Sequence, residues 1–170
     1  RAISRINGVL VNDTSFDHLA QTGVRFLMES SDGSVWVPTR PALYRYGQNL
    51  EPQVFSELRW QWIYTMLESE NGTIWCTSLG LYNDKNLYKL DGQIWQWIDS
   101  IEFTVSRMID DSAGNLWLIF ERRDEKSQTL KSVNIKTGDW TSQLPQQTTL
   151  AIIETSDQKM WAGTENGLWQ

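Results

Sequence analysis

Four carboxylates recur at one position of this chain, and their spacing raises the first question of chemistry. Glu29, Glu68, Asp110 and Glu154 each stand seven residues before a tryptophan, at Trp36, Trp75, Trp117 and Trp161. A ring of acidic side chains could bind a cation. A carboxylate at the end of a strand, just before a turn, can instead accept backbone N–H bonds and hold a hairpin. A residue repeated with the architecture is expected to serve the architecture. His18 is the single histidine and Cys76 the single cysteine. Without further nitrogen or sulfur donors, a zinc site is not expected, and Asp32-Gly33-Ser34 does not satisfy a calcium loop. The sequence therefore calls for no metal and no cofactor.

A second group suits recognition rather than catalysis. Arg59, Trp60, Trp62 and Tyr82 combine flat apolar surface with hydrogen-bonding edges, which fits a sugar ring or a peptide. Glu102 and Arg122 lie in segments expected to reach the same side of the molecule and complete the candidate ligand set. The structural alternative is that Trp60 and Trp62 seal the entrance to a sheet, and that Glu121–Lys126 is a solvated loop tip. An enzyme would need a general base and acid that converge. With one histidine and no acidic pair outside the repeat register, a non-enzymatic role is expected.

The elements that must position these groups follow from an internal repeat. The segments FLMESSDGSVW (26–36), TMLESENGTIW (65–75), RMIDDSAGNLW (107–117) and AIIETSDQKMW (151–161) share one pattern, and their final tryptophans are 39, 42 and 44 residues apart. Gly33, Gly72 and Gly114 stand three residues before the Trp, with Gln158 in the fourth copy. Asp32, Asn71, Ala113 and Asp157 stand one residue earlier. Hydroxyls follow the Trp by three at Thr39, Ser78 and Thr164, with Phe120 the exception.

In the second copy, Ile63–Glu68 reads as a strand, Ser69–Gly72 as a turn and Thr73–Thr77 as its return. Leu87–Leu90, the Asp91-Gly92 turn and Gln93–Ile98 supply two more strands. Corresponding strands are expected at Val24–Glu29, Ser34–Pro38, Leu43–Tyr46 and Val54-Phe55, and at Val105–Asp110, Asn115–Ile119, Leu130–Ile135 and around Trp140. The last copy supplies Leu150–Glu154, Lys159–Gly163 and Gly167–Trp169. Counting back, Ala2–Asn7 and the strand of Phe16 belong to a preceding unit. Four antiparallel strands per 40 residues or so make one propeller blade, and ten tryptophans are expected mainly to pack between blades. The expected fold is all-β: a β-propeller region over 1–170, with blades at 1–21 (last two strands), 22–60, 61–101, 102–145 and 146–170 (first three strands).

Composition narrows the partners. Fifteen basic against 21 acidic residues give a formal charge of −6, without a Lys/Arg stripe, so a nucleic-acid partner is not expected. There is no signal peptide and no apolar run of spanning length, hence no membrane contact within these residues. The chain opens on Arg1 and stops at Gln170 inside an expected strand, so both ends are read as cut. Asn12-Asp13-Thr14 and Asn71-Gly72-Thr73 fit the glycosylation triplet, which matters only in a secreted eukaryotic setting. Cys76 reads as a buried, inert thiol.

The repeats resemble the two-component regulator propeller repeat, whose pattern runs roughly I-x-E-D-x-x-G-x-L-W-x-G-T-x-x-G-L. IDDSAGNLW (109–117) matches its first half, MWAGTENGLW (160–169) its second, and ESENGTIWCTSLGLY (68–82) most of it. Val37-Pro38-Thr39 and Leu118-Ile119-Phe120 lack the glycine of the second half. The resemblance implies a ligand-recognition propeller of a bacterial sensor, periplasmic or extracellular, with carbohydrate a frequent ligand. It specifies the repeat and leaves the ligand open.

Two arrangements remain open. A four-bladed ring could close if the strand of Phe16 lay beside Gly167–Trp169. An incomplete arc of a larger ring is the preferred reading. Its exposed blade edges would then favour a homo-oligomer or a complementary propeller chain. An assembly module is accordingly the alternative to ligand recognition. Within each blade, the loops joining strands 2–3 and 4–1 share one end and the short 1–2 and 3–4 turns the other. Recognition is expected at the former.

Overall fold

A computed structural model describes residues 2–6, 9–13, 23–40, 42–47, 51–80, 82, 84–122, 127–144 and 147–170, with backbone alone at 2–6, 9–13, 122, 127 and 128. Phe16, His18 and the tip 123–126 lie outside them. The chain is all-β. It divides into two compact units, Arg1–Ile63 and Tyr64–Gln170, the division falling early in the seventh strand.

The first unit begins with a hairpin of β1 (Ala2–Ile6) and β2 (Val9–Asp13). A four-stranded antiparallel sheet follows in chain order: β3 (Met28–Glu29), β4 (Val35–Pro38), β5 (Leu43–Tyr46) and β6 (Pro52–Phe55). The sequence places a first strand at Val24–Glu29; only Met28–Glu29 pairs. Pro38, at the far end of β4, has no N–H to offer the residues before Met28, so the ladder stops. Trp36 is buried, and its ring stacks on Phe55 at 5.4 Å and 21°.

The second unit carries three meander sheets. β7 (Trp62–Glu68), β8 (Ile74–Leu79), β9 (Lys85–Asp91) and β10 (Ile94–Ser100) form one. β11 (Thr104–Asp110), β12 (Asn115–Arg122), β13 (Ser127–Asn134) and β14 (Trp140–Gln143) form the next. β15 (Thr149–Glu154), β16 (Met160–Thr164) and β17 (Gly167–Trp169) form the last. Two expected loops are shorter than the sequence suggests. Glu121 pairs with Gln128 and Arg122 with Ser127, while Leu79 pairs with Lys85 and Ser78 with Asn86. Polar residues extend a ladder as readily as apolar ones when the backbone register is already set.

Packing between sheets supplies the core. Trp75 and Leu87 from one sheet meet Val105, Met108, Leu116 and Phe120 from the next. Ile119 and Leu130 meet Ile152 and Ala162, with Trp117 half-buried beside them. A sheet covered on both faces needs large side chains on both, which is why β8 and β12 lack clean alternation.

The repeat positions have concrete jobs. The indole N–H of Trp36 donates to Ser30 Oγ and that of Trp75 to Ser69 Oγ, both at 3.1 Å; Trp117 donates to Asp111 Oδ2 at 2.7 Å. The acceptor lies six residues before the Trp each time, a position the sequence reading does not single out. The turn glycines Gly33, Gly72 and Gly114 hold φ of 78°, 79° and 85°, and Gln158 takes the same bend at 61°. The departure from glycine therefore leaves the turn intact. In the first two copies Asp32 Oδ1 and Asn71 Oδ1 accept from Ser34 N and Thr73 N. Ala113 cannot, and Asp111 accepts from Asn115 N instead.

Candidate functional site

Two of the recurring carboxylates, Asp110 and Glu154, are engaged in hydrogen bonds within the second unit. Asp110 Oδ2 accepts from Glu70 N at 3.2 Å, and Glu154 accepts from Ser112 N at 2.9 Å and Ser112 Oγ at 2.6 Å. Asp110 and Glu154 thus bind the 1–2 turn of the preceding sheet, 40 and 42 residues earlier. These bonds stitch one sheet to the next. Among the described residues no three His, Cys, Asp or Glu side chains are placed to share a metal ion.

A cleft opens in the first unit, where the loop between β4 and β5, the segment entering β3 and the start of β7 meet. It encloses about 350 Å³ and is lined by Val24, Arg25, Thr39, Arg40, Trp62 and Ile63 among others. Ile63 is fully buried and fixes the start of β7, and Leu58 does the same for the preceding turn. That turn is closed by Arg59 N donating to Ser56 O and Gln61 N to Leu58 O. Trp60 takes φ of 65° there, a left-handed conformation that costs a bulky residue about 1–2 kcal/mol and must be held by its surroundings. Thr39 is buried, its Oγ1 donating to Ala42 O at 2.8 Å, so the hydroxyl three residues after Trp36 closes the β4–β5 loop. Thr164 does the same to Gly167 O at 3.0 Å.

Within the cleft, Trp62 is partly exposed and carries two guanidinium groups over its ring, Arg40 at 4.9 Å and Arg25 at 5.5 Å from the centroid. The arrangement is a cation–π cluster. Neither arginine is among the sequence candidates. Val24–Glu29 reads as strand, which hides Arg25, and Arg40 sits in a Pro-Thr-Arg-Pro segment with no periodic signal.

Of the six candidate residues, Arg59, Trp60 and Trp62 belong to the first unit and Tyr82, Glu102 and Arg122 to the second. Trp62 lines the cleft, whereas Trp60 and Arg59 stack on each other outside its wall at 5.8 Å. Tyr82 is 94% exposed. Arg122 belongs to β12 in the second unit. Glu102 borders a smaller hollow of about 190 Å³ with Asp99, Phe120, Lys131 and Trp140. There Lys131 Nζ lies 3.4 Å from Glu102 Oε2, and Trp140 Nε1 donates to Asp99 Oδ2 at 2.8 Å. Those polar groups are spent on one another and bridge neighbouring sheets. Cys76 is fully buried, which pushes its thiol well above the ordinary value and leaves it un-ionised.

No protein-family model matches the chain, and neither does any curated protein. Solved structures do. The extracellular domain of a putative one-component system from B. thetaiotaomicron aligns with a TM-score of 0.61 at 17% identity, over 85% of this chain and 20% of that one. PorZ, a surface component of the type-IX secretion system of Porphyromonas gingivalis, aligns with a TM-score of 0.63 at 14% identity, over 86% and 25%. A chain of a nidogen/laminin complex aligns with a TM-score of 0.59 at 14% identity, over 95% and 65%. The likeness is one of fold, and this chain spans a fifth to a quarter of the length of the first two.

Proposed function

We propose that the sheets are successive blades of an incomplete β-propeller arc, and that the chain is a non-enzymatic ligand-recognition segment of a bacterial extracytoplasmic sensor, with a small carbohydrate-sized ligand. The carrying observation is the asymmetry of the two loop ends. Within each sheet one end holds a tight turn, as at Gly33, Gly72 and Gly114, which exposes little more than backbone. The end with the 2–3 and 4–1 loops carries the cleft of Trp62, Arg25 and Arg40, the combination of concavity, aromatic surface and charge that ligand sites use. The fold-likeness to the extracellular domain of a putative one-component system supports the setting. Titration with a panel of mono- and disaccharides and small acids tests the reading. Binding that Trp62→Ala abolishes, with the thermal transition retained, is the expected result. A panel in which nothing binds, or binding indifferent to Trp62→Ala, would sink it.

A second reading has its own observation. On the face of the last sheet turned away from its buried Ile152 and Ala162, Ile153 and Leu168 are 60% and 68% exposed, an apolar pair open to solvent. Assembly through that face predicts a mass above that of one chain in light scattering, falling to the monomer for Ile153→Lys/Leu168→Lys.

A further inference from the structure

The cleft also indicates what kind of ligand it takes. A neutral sugar stacked on Trp62 would need the indole face, yet the guanidinium of Arg40 lies over that ring at 4.9 Å with Arg25 nearby at 5.5 Å. A guanidinium lying on an aromatic ring keeps its in-plane N–H edge directed outward, the geometry that grips a carboxylate with two parallel hydrogen bonds. Arg40 meets no carboxylate among the described residues, while Arg25 has a further partner of its own. Arg40 is therefore the group on which the case rests. The hydroxyl of Thr39 is committed to Ala42 and has little left for ligand hydroxyls. The remaining wall, from Val24, Pro38 and Ile63, is apolar. At about 350 Å³ the cleft stands at the small end of the ~300–1,000 Å³ range of ligand sites.

We propose that this cleft binds a small organic acid, a carboxylate carried on a body of one or two rings, with Arg40 gripping the carboxylate and Trp62 holding the guanidinium in place. It rests on the ligand-recognition reading and narrows it. The chain as a whole is anionic, at −6, so attraction is confined to contact range and weakens as salt screens it. A uronic acid and an aromatic acid both present this chemistry, and the test separates them.

Isothermal titration of the full 170-residue chain with glucuronic acid against glucose, and phenylacetic acid against 2-phenylethanol, decides the matter. The expected result is that at least one acid binds roughly tenfold or more tightly than its neutral counterpart, the worth of a charged over a neutral hydrogen bond. Arg40→Ala should remove that preference, and Arg40→Lys, which keeps the charge without the fork, should retain part of it. Arg40 is exposed, so an unchanged thermal transition is expected for both variants. Whichever acid responds identifies the ring body. Equal binding of acid and neutral partner, still dependent on Trp62, overturns the charge assignment but leaves ligand recognition standing. An acid preference that survives Arg40→Ala also overturns it, and so does no binding by any of the four compounds, while the wider saccharide and acid panel decides ligand recognition itself.

Discussion

Removing the hydroxyl of Ser69 should expose how much the recurring indole bond is worth. Trp75 is 2% exposed and Ser69 4%, and the indole N–H donates to Ser69 Oγ at 3.1 Å. Ser69→Ala deletes the acceptor where water has little access, so the N–H is left buried and unsatisfied, at a cost of about 1–3 kcal/mol. Trp75→Phe deletes the donor but also leaves a void in the buried cluster that Trp75 shares with Leu87, Val105 and Leu116; about 2 kcal/mol is expected. In the double variant, Ser69→Ala no longer orphans anything and should add only a few tenths of a kcal/mol. The coupling is therefore about 1–2 kcal/mol. Urea unfolding followed by far-UV circular dichroism and by fluorescence measures it, and coincident transitions must be checked because the chain forms two compact units. In thermal scans each kcal/mol corresponds to roughly 2–4 °C for a chain of this size. Additivity within about 0.3 kcal/mol would falsify the claim that this bond is a unit of sheet stability.

Three further outcomes follow from particular contacts. Glu154→Ala loses two bonds to Ser112 and Asp110→Ala one long bond to Glu70, so the former should cost about 1 kcal/mol and the latter less than half of that; a reversed order in urea unfolding would refute the stitching role. The carboxyl of Asp32 is held far below its ordinary value, chiefly by the backbone N–H of Ser34, then by the hydroxyls of Ser34 and Ser30, and by Arg45. A depressed native value adds stability above the unfolded value near 3.8, and that stability is lost as pH falls through the native value. Asp32→Asn should therefore be less stable at neutral pH, by no more than about 1 kcal/mol for a half-exposed group, and the gap should close as pH drops below about 4; a gap independent of pH between 7 and 2.5 would contradict this. Gln158→Gly relieves a left-handed residue at φ 61° and should stabilise by about 0.5–1 kcal/mol in the same assay; destabilisation would mean that the Gln side chain is engaged.

What was legible in the sequence is what depends on local rules. Asn71-Gly72, Asp91-Gly92 and Ala113-Gly114 mark turns because φ is positive there, and the strands Leu43–Tyr46 and Gly167–Trp169 come out at the expected residues. The regular return of Trp36, Trp75, Trp117 and Trp161 announces like sheets, since only equivalent packing positions keep one residue type at one spacing. Length of pairing was less legible: Pro38 cut β3 short, while Glu121, Arg122, Ser127 and Gln128 joined a ladder despite their polarity.

The tertiary structure alone decided which side chains meet. Sequence spacing put Glu154 near its own turn, but the fold carries it to Ser112 on another sheet. Trp62 was a candidate by its ring, and only the approach of two loops brings Arg25 and Arg40 over it. Local sequence dictates backbone conformation through sterics and hydrogen bonding within a few residues. Contacts between segments tens of residues apart depend on how sheets twist and stack, and no single repeat contains that information.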